Sequence, residues 1–267
     1  MKKSGLFFCV ILVLAFLFTG CATTNSNNTS DESLSLGAGW TQIKPGFEQI
    51  DGYIADCNTT WHCVKIDLSF IQDDSQIKFK TSTKAFSVKA FAKETGVTVA
   101  INTLPFAIYE NSVSSTGIVM AAGQILNAPE KKYCALAFSR NEEGKLTCTI
   151  LQKQNEEELK NFTYAFGGFY VVLKDGKALE FQKIKRSRSG CGTDDSGRYL
   201  YLFATTPRFS LTDRNGLTYE ECAGIMKELG CTQAMQFDGG HSTSMVINGK
   251  SVEAPLFQRK IAAALGF

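Results

Sequence analysis

The chain has 267 residues, 44% of them hydrophobic, and a formal net charge of +2. Near-neutrality, with "KIKRSR" as the densest basic run, excludes a nucleic-acid-binding surface. Two histidines and the absence of GxSxG argue against hydrolysis through a serine nucleophile.

Lys2 and Lys3 precede the apolar run "LFFCVILVLAFLF", which is too short for a hydrocarbon core that takes roughly 20 residues. Gly20 and Cys21 follow, and "FTGC" resembles a bacterial lipobox in which Cys21 is lipidated. The next stretch, "ATTNSNNTSDESLSLGAG", has too little apolar surface to fold and reads as a tether. The expected organisation is therefore a lipoprotein signal peptide over 1–20, a flexible polar tether over 21–39, and one domain over 40–267. The expected location is the cell envelope, lipid-anchored through Cys21 on the periplasmic face or outer membrane.

Export permits disulfides, and Cys57–Cys63 and Cys222–Cys231 are the pairs that the spacing favours. There is no CxxC, and His62 beside Cys63 lacks partners at zinc-ligand spacing, so no metal site is expected.

Within the domain, "CVKIDLSF" and "QIKFKTST" alternate as half-buried strands do. "FSVKAFAKETG" reads as a short helix stopped by Gly96, and "VTVAIN" as a buried strand. "TGIVMAAGQIL", "YCALAFS" and "KLTCTILQ" read as further strands. "NEEELKNFTYAFGG" suggests a helical turn leading into the strand "FYVVL", with "KDGK" as its hairpin turn. "GRYLYLFATT" is a long apolar strand. "TYEECAGIMKELG" is the clearest helix: Thr218 with Glu221 forms a capping box, and Cys222, Ile225, Met226 and Leu229 share one face. The strands "TQAMQF" and "SMVING" follow. This pattern predicts an α+β (mixed α/β) domain, with a central mixed β-sheet flanked by a few helices.

Three stretches carry polar groups beyond what folding needs. In "QFDGGHSTSMVINGK", Asp238 opens a glycine pair, followed by His241 and the hydroxyls of Ser242, Thr243 and Ser244. An Asp-Gly pair alone signals a hairpin; the added hydroxyls and histidine point to an anion-binding floor. In "KIKRSRSGCGTDDSGRYLYLFA", Arg186 and Arg188 precede a small-residue loop, and a guanidinium binds phosphate with two parallel hydrogen bonds. Asp194 and Asp195 fit a turn there. In "VAINTLPFAIYE", the polar Asn102 ends a buried strand and needs either protein partners or a ligand.

In order, "INTLPF", "RSGCG" leading into "GRYLYLFA", and the final "GLTYEECAGIMKELGCTQAMQFDGGHSTSM" resemble the phosphodiester glycosidase family. So does the tail "RKIAAALGF". His241 stands where the family has a third glycine, Ser189 stands for Thr, and "NTLPF" lacks one aromatic. The resemblance implies hydrolysis of a sugar-1-phosphodiester in a phosphoglycan or polysaccharide. It casts Asp238, Arg188 and His241 as catalytic, and Asn102, Gly239, Gly240, Ser242 and Thr243 as substrate-binding. A second carboxylate would come from Glu110, Asp67 or Asp194. No cofactor is implied, with a divalent cation left open. The competing reading is a non-catalytic lipoprotein that binds or assembles exopolysaccharide.

Overall fold

The computed structural model of the chain describes residues 39–207, 216–252 and 259–267. Cys21, the signal segment and the tether up to residue 38 lie outside the described residues.

The largest sheet has eight strands in the order β1 (Thr41–Lys44), β2 (Phe47–Ile54), β3 (Thr59–Asp67), β16 (Tyr199–Pro207), β15 (Ser189–Thr193), β17 (Gln233–Gln236), β13 (Val171–Lys174), β14 (Lys177–Ala178). A second sheet runs β11 (Leu146–Leu151), β10 (Ala135–Arg140), β12 (Tyr164–Gly167), β8 (Val119–Ala121), β9 (Gln124–Asn127). A third runs β19 (Lys250–Ser251), β18 (Met245–Ile247), β5 (Val99–Asn102), β20 (Ile261–Gly266), β4 (Lys78–Phe86). The strands β6 (Phe106–Ile108) and β7 (Val113–Ser115) form a hairpin. The helices among the described residues are α1 (Val88–Thr95), α2 (Glu156–Leu159) and α3 (Tyr219–Glu228).

Every strand pairing among the described residues is antiparallel. The expected α+β domain with a central mixed sheet is therefore overturned: this is a β-rich sandwich. A mixed sheet needs parallel pairs, and each parallel pair needs a long crossover, usually helical. Here the helices cover outer faces instead. "NEEELKNFTYAFGG" shows the difference locally. Its helix is the single turn α2, while Tyr164–Gly167 is the fully buried strand β12 in the middle of the second sheet.

The period of two decides which side each residue covers. Val64 and Ile66 of β3, with Leu200 and Leu202 of β16, point into the central core. There they meet Leu136, Phe138 and Phe166 of the second sheet and Ile101, Met245 and Leu265 of the third. Their neighbours Trp61, Cys63, Tyr201 and Phe203 point outward and pack with Cys222, Ile225 and Met226 of α3. A strand covered on both faces reads as a continuous apolar run, as "YLYLFA" does. Each fully buried side chain of this size contributes about 1.5–3 kcal/mol of burial. The capping box at Thr218 forms as the sequence predicts: the Thr218 hydroxyl accepts from the Glu221 amide, and the Glu221 carboxylate accepts from the Thr218 amide.

The seven cysteines from Cys57 to Cys231 are all free and buried, so the two expected bridges are corrected. Cys63 and Cys231 are core side chains between the large sheet and α3, and Cys222 lies on the buried face of α3. They fill space there as small apolar residues.

Candidate active site

The turn that holds Asp238 is no hairpin. β17 belongs to the eight-stranded sheet, whereas β18, which follows the turn, pairs with β5 in the third sheet. The chain thus crosses from one sheet to another through Phe237–Ser244. Gly239 is extended, Gly240 takes φ +61°, and Gly240–Ser242 is a 3₁₀ turn. The left-handed φ explains a glycine at 240, since a side chain there would be strained.

Asn102, at the end of β5, holds this crossing in place. Its Nδ2 donates to the Asp238 carbonyl at 2.7 Å, and its Oδ1 accepts from the Ser189 hydroxyl at 2.7 Å and the Ser244 amide at 2.9 Å. The Asp238 amide also donates to the Thr103 carbonyl at 2.7 Å. Asn102 is 1% exposed and its side-chain atoms are engaged by protein. Its place is beneath the site, holding the turn.

The "RSGCG" element, read as a loop, is the central strand β15, pinned between β16 and β17. Its small residues permit close approach. A Cβ on Gly190 would collide with the Met235 carbonyl oxygen and come within 3.2 Å of Gln236 Nε2. Arg188 precedes this strand and is 7% exposed. Its Nε donates to the Leu217 carbonyl at 2.8 Å and its Nη2 to the Ile184 carbonyl. Its guanidinium lies 4.1 Å from the centre of the Tyr219 ring. Nη1 makes no hydrogen bond among the described residues.

Asp238 is half-buried, and its carboxyl is raised to about 6. Burial is the cause; the Ser242 hydroxyl, the Gly239 amide and the positive charge of Arg259 pull in the opposite direction. Arg259 also lies over the Phe106 ring at 5.4 Å. The phenols of Tyr133 and Tyr219 are raised, first by burial and in smaller part by the charge of Asp238.

The other expected site residues fall into place unequally. Ser242 is 2% exposed beside the Asp238 carboxyl. Thr243 is 6% exposed, and its hydroxyl has no partner among the described residues. The Gly240 amide donates to the Ser187 carbonyl at 2.8 Å, so it is occupied rather than open to an anion. His241 is exposed and makes no hydrogen bond among the described residues. Asp67 is bonded by Arg198, with Nε–Oδ1 at 2.9 Å, and caps the turn at Ser69. Asp194 accepts from the Tyr199 amide in the turn after β15. Both stand at the end of the large sheet opposite to Arg188. Glu110 is exposed, past the end of β6. Among the described residues, no group of three or more His, Cys, Asp or Glu side chains is arranged so that it could hold a metal ion.

Sequence reasoning missed Tyr133, Tyr219, Gln236 and Arg259. Gln236 carried a signal: two positions before Asp238, it is a polar residue inside an apolar strand. Arg259 opens "RKIAAALGF", which resembles the family as a tail but gives no sign that its charge reaches Asp238.

The phosphodiester glycosidase family model matches residues 95–267, about two thirds of the chain. Among solved structures, a hypothetical protein from Synechocystis is similar at TM-score 0.65 and 14% identity, covering 85% of this chain and 63% of that one. The zebrafish N-acetylglucosamine-1-phosphodiester alpha-N-acetylglucosaminidase catalytic domain, auto-inhibited by its pro-peptide, is similar at TM-score 0.64 and 17% identity, with 85% of each chain covered. A putative exported protein from Burkholderia pseudomallei follows at TM-score 0.56 and 11% identity, covering 78% of this chain and 73% of that one. No curated protein matches the sequence. At these identities the structural likenesses speak for the fold alone. The family match spans "INTLPF", the central strand and the crossing turn, and by it the chain belongs to the phosphodiester glycosidase family.

Proposed function

We propose that the protein hydrolyses the bond between the anomeric carbon of a sugar and a phosphodiester, in a phosphoglycan or polysaccharide. The observation that carries this reading is Asp238. It is one carboxylate held at about 6 at the end of a buried strand, with Arg259 acting on its charge and Arg188 on the adjoining strand end. Cleavage at the anomeric carbon releases the phosphate as a monoester that is stable as an anion, so a single carboxylate suffices where a sugar leaving group would require a second as acid. Asp238 acts at the anomeric carbon, as base toward water or as nucleophile. Arg259 from the open side and Nη1 of Arg188 from the buried side hold the phosphate charge. Ser242 keeps the carboxyl oriented. The Gly239–Gly240 turn gives this site its shape, and His241 stands at its rim.

We also propose that the protein acts outside the cytoplasm, tethered by a lipid on Cys21; the lipobox-like "FTGC" supports this. The reaction is tested by incubating the purified chain with a panel of sugar-1-phosphodiesters and measuring free reducing sugar. Release that Asp238→Asn abolishes supports it; release that survives the substitution unchanged refutes the role of Asp238. Glycan binding without cleavage of any phosphodiester would leave the non-catalytic, exopolysaccharide-binding reading in its place.

A further inference from the structure

Beside Asp238 stands a continuous run of aromatic rings that the hydrolytic reading does not use. Tyr133 meets Phe169 edge-on at 5.0 Å and Tyr170 at 6.0 Å. Tyr170 meets Phe181 at 5.8 Å and Tyr219 at 6.3 Å, and Phe181 meets Tyr219 at 5.1 Å. None of the five rings is fully buried, and Tyr170 is 41% exposed.

Backbone pairing ties the run to the site. The Phe169 amide donates to the Gln236 carbonyl at 2.7 Å, and the Gln236 amide to the Tyr170 carbonyl at 2.9 Å. The Gly168 amide donates to the Cys134 carbonyl at 3.0 Å, which brings Tyr133 alongside. At the other end, Tyr219 lies against the Arg188 guanidinium.

Polar atoms border these rings. Gln236 is 2% exposed, and its Oε1 accepts no hydrogen bond among the described residues. Its side chain lies over Gly190, on the strand that begins next to Arg188, where the missing Cβ leaves room. A buried carbonyl oxygen without a donor is costly, by an amount comparable to a lost hydrogen bond. A ligand hydroxyl satisfies it only when a rotation of the Gln236 side chain brings Oε1, covered in this structure, to the surface. Phenol hydroxyls and this acceptor accompany the aromatic rings, and that is the composition that suits a sugar ring, whose C–H face stacks while its hydroxyl rim is hydrogen-bonded. A hydrocarbon chain would leave each of these polar atoms unpaired.

The geometry points to a second sugar subsite on the wall formed by Tyr133, Phe169, Tyr170, Phe181 and Tyr219, with Gln236 as its hydrogen-bond acceptor. The substrate is then a glycan of two or more rings, with one ring at Asp238 and the next stacked on this wall. This assignment rests on the phosphodiester glycosidase reading for the ring at Asp238, but the wall itself is tested by binding alone.

The test is calorimetric titration of the full-length Asp238→Asn chain with neutral oligosaccharides of one, two and three rings. β-1,4-linked N-acetylglucosamine and α-1,4-linked glucose form the two series, and octanol serves as the uncharged apolar probe. Affinity is expected to rise about tenfold from one ring to two in at least one series, the size of one good stacking contact. Tyr170→Ala should cancel that gain, and Gln236→Leu should reduce it, with melting temperatures recorded to confirm folding. Tyr170 is exposed enough for its removal to leave the fold intact; Tyr133→Ala is the second variant. Affinity independent of ring number in both series, a gain untouched by both tyrosine variants, or octanol bound in place of sugar overturns the subsite. Ring-dependent binding without any phosphodiester hydrolysis by the unsubstituted chain would sink the reaction and keep the subsite.

Discussion

Asn102 donates through Nδ2 to the carbonyl oxygen of Asp238 at 2.7 Å, across 136 positions of sequence. The same side chain accepts from Ser189 and Ser244, so one amide fastens three strand ends at the place where the chain changes sheets. Asn102→Ala leaves the Ser189 hydroxyl, the Ser244 amide and the Asp238 carbonyl without this partner in a buried setting. The expected cost is about 2–4 kcal/mol, from orphaned groups at roughly 1–3 kcal/mol each with partial relaxation. Calorimetric melting measures it. As a positioning residue, Asn102 should affect kcat more than KM; a rise in KM alone would show that it touches substrate instead.

The pH dependence follows from Asp238. Its carboxyl ionises at about 6, so activity that requires the carboxylate should fall tenfold per pH unit below that value. Arg259 lowers this pKa, and Arg259→Ala should move the acid limb upward. A limb that stays in place in this variant would separate the two residues. The stability effect has the opposite sign to the usual buried-carboxylate ion pair. Between the ordinary carboxyl value of 3.8 and about 6, the folded state holds more protons than the unfolded state, so stability falls as pH rises through that window. Asp238→Asn removes the burden of the buried charge. It should be the more stable form above pH 6, by at most about 3 kcal/mol, with the advantage gone below about pH 4. Urea unfolding at the two pH values measures the difference.

His241 is exposed and makes no hydrogen bond among the described residues. His241→Gly should change stability by less than about 0.5 kcal/mol and leave the acid limb of the activity profile where Asp238 puts it. A displaced limb would support the catalytic role in which the family resemblance casts the histidine.

Gln154 is fully buried and supports the wall from behind. Its Oε1 accepts from the Ile118 and Glu130 amides, both at 2.7 Å, and its Nε2 donates to the Cys134 carbonyl at 2.9 Å. Gln154→Leu fills the space but leaves the Ile118 and Glu130 amides unpaired, while the Cys134 carbonyl keeps the Gly168 amide; the expected cost is about 2 kcal/mol or more. Thermal unfolding checks this, and unchanged stability would mean that the loop before Tyr133 is held by other contacts.

The cysteines give a chemical test. All seven described thiols are free, and burial pushes those of Cys63, Cys134, Cys148, Cys191, Cys222 and Cys231 up. A thiol reagent should modify few of them in the folded protein and all of them in denaturant without reductant. Thiols that appear only after reduction would restore the bridges.

Local features were legible in the sequence and pairing was not. The capping box at Thr218, the glycine stop of α1 and the hairpin turn at Asp175–Gly176, both with positive φ, depend on neighbours within a few residues. Sheet membership depends on distant partners. Nothing in "TQAMQFDGGHSTSMVING" states that its two strands join different sheets, because Asp-Gly serves a hairpin and a crossing equally well. The mixed-sheet expectation failed for that reason. "RSGCG" looked like a loop since glycine is poor in strands, yet glycine is required at 190 by the closeness of β17. Asn102, polar at the end of an apolar strand, signals a need for partners, but the protein partners Ser189 and Ser244 lie too far along the chain to be read from it.

The crossing turn has a consequence for how the protein comes into being. The contacts that set Asp238 reach back 136 residues to Asn102, and those of Asn102 reach 87 and 142 residues forward. Such long loops are closed late, since their entropy must be offset before the contacts reward it. A nascent or partly collapsed chain therefore has no assembled centre. Activity should emerge in one step with the final docking of sheets, which makes turnover itself a kinetic probe of the last stage of folding.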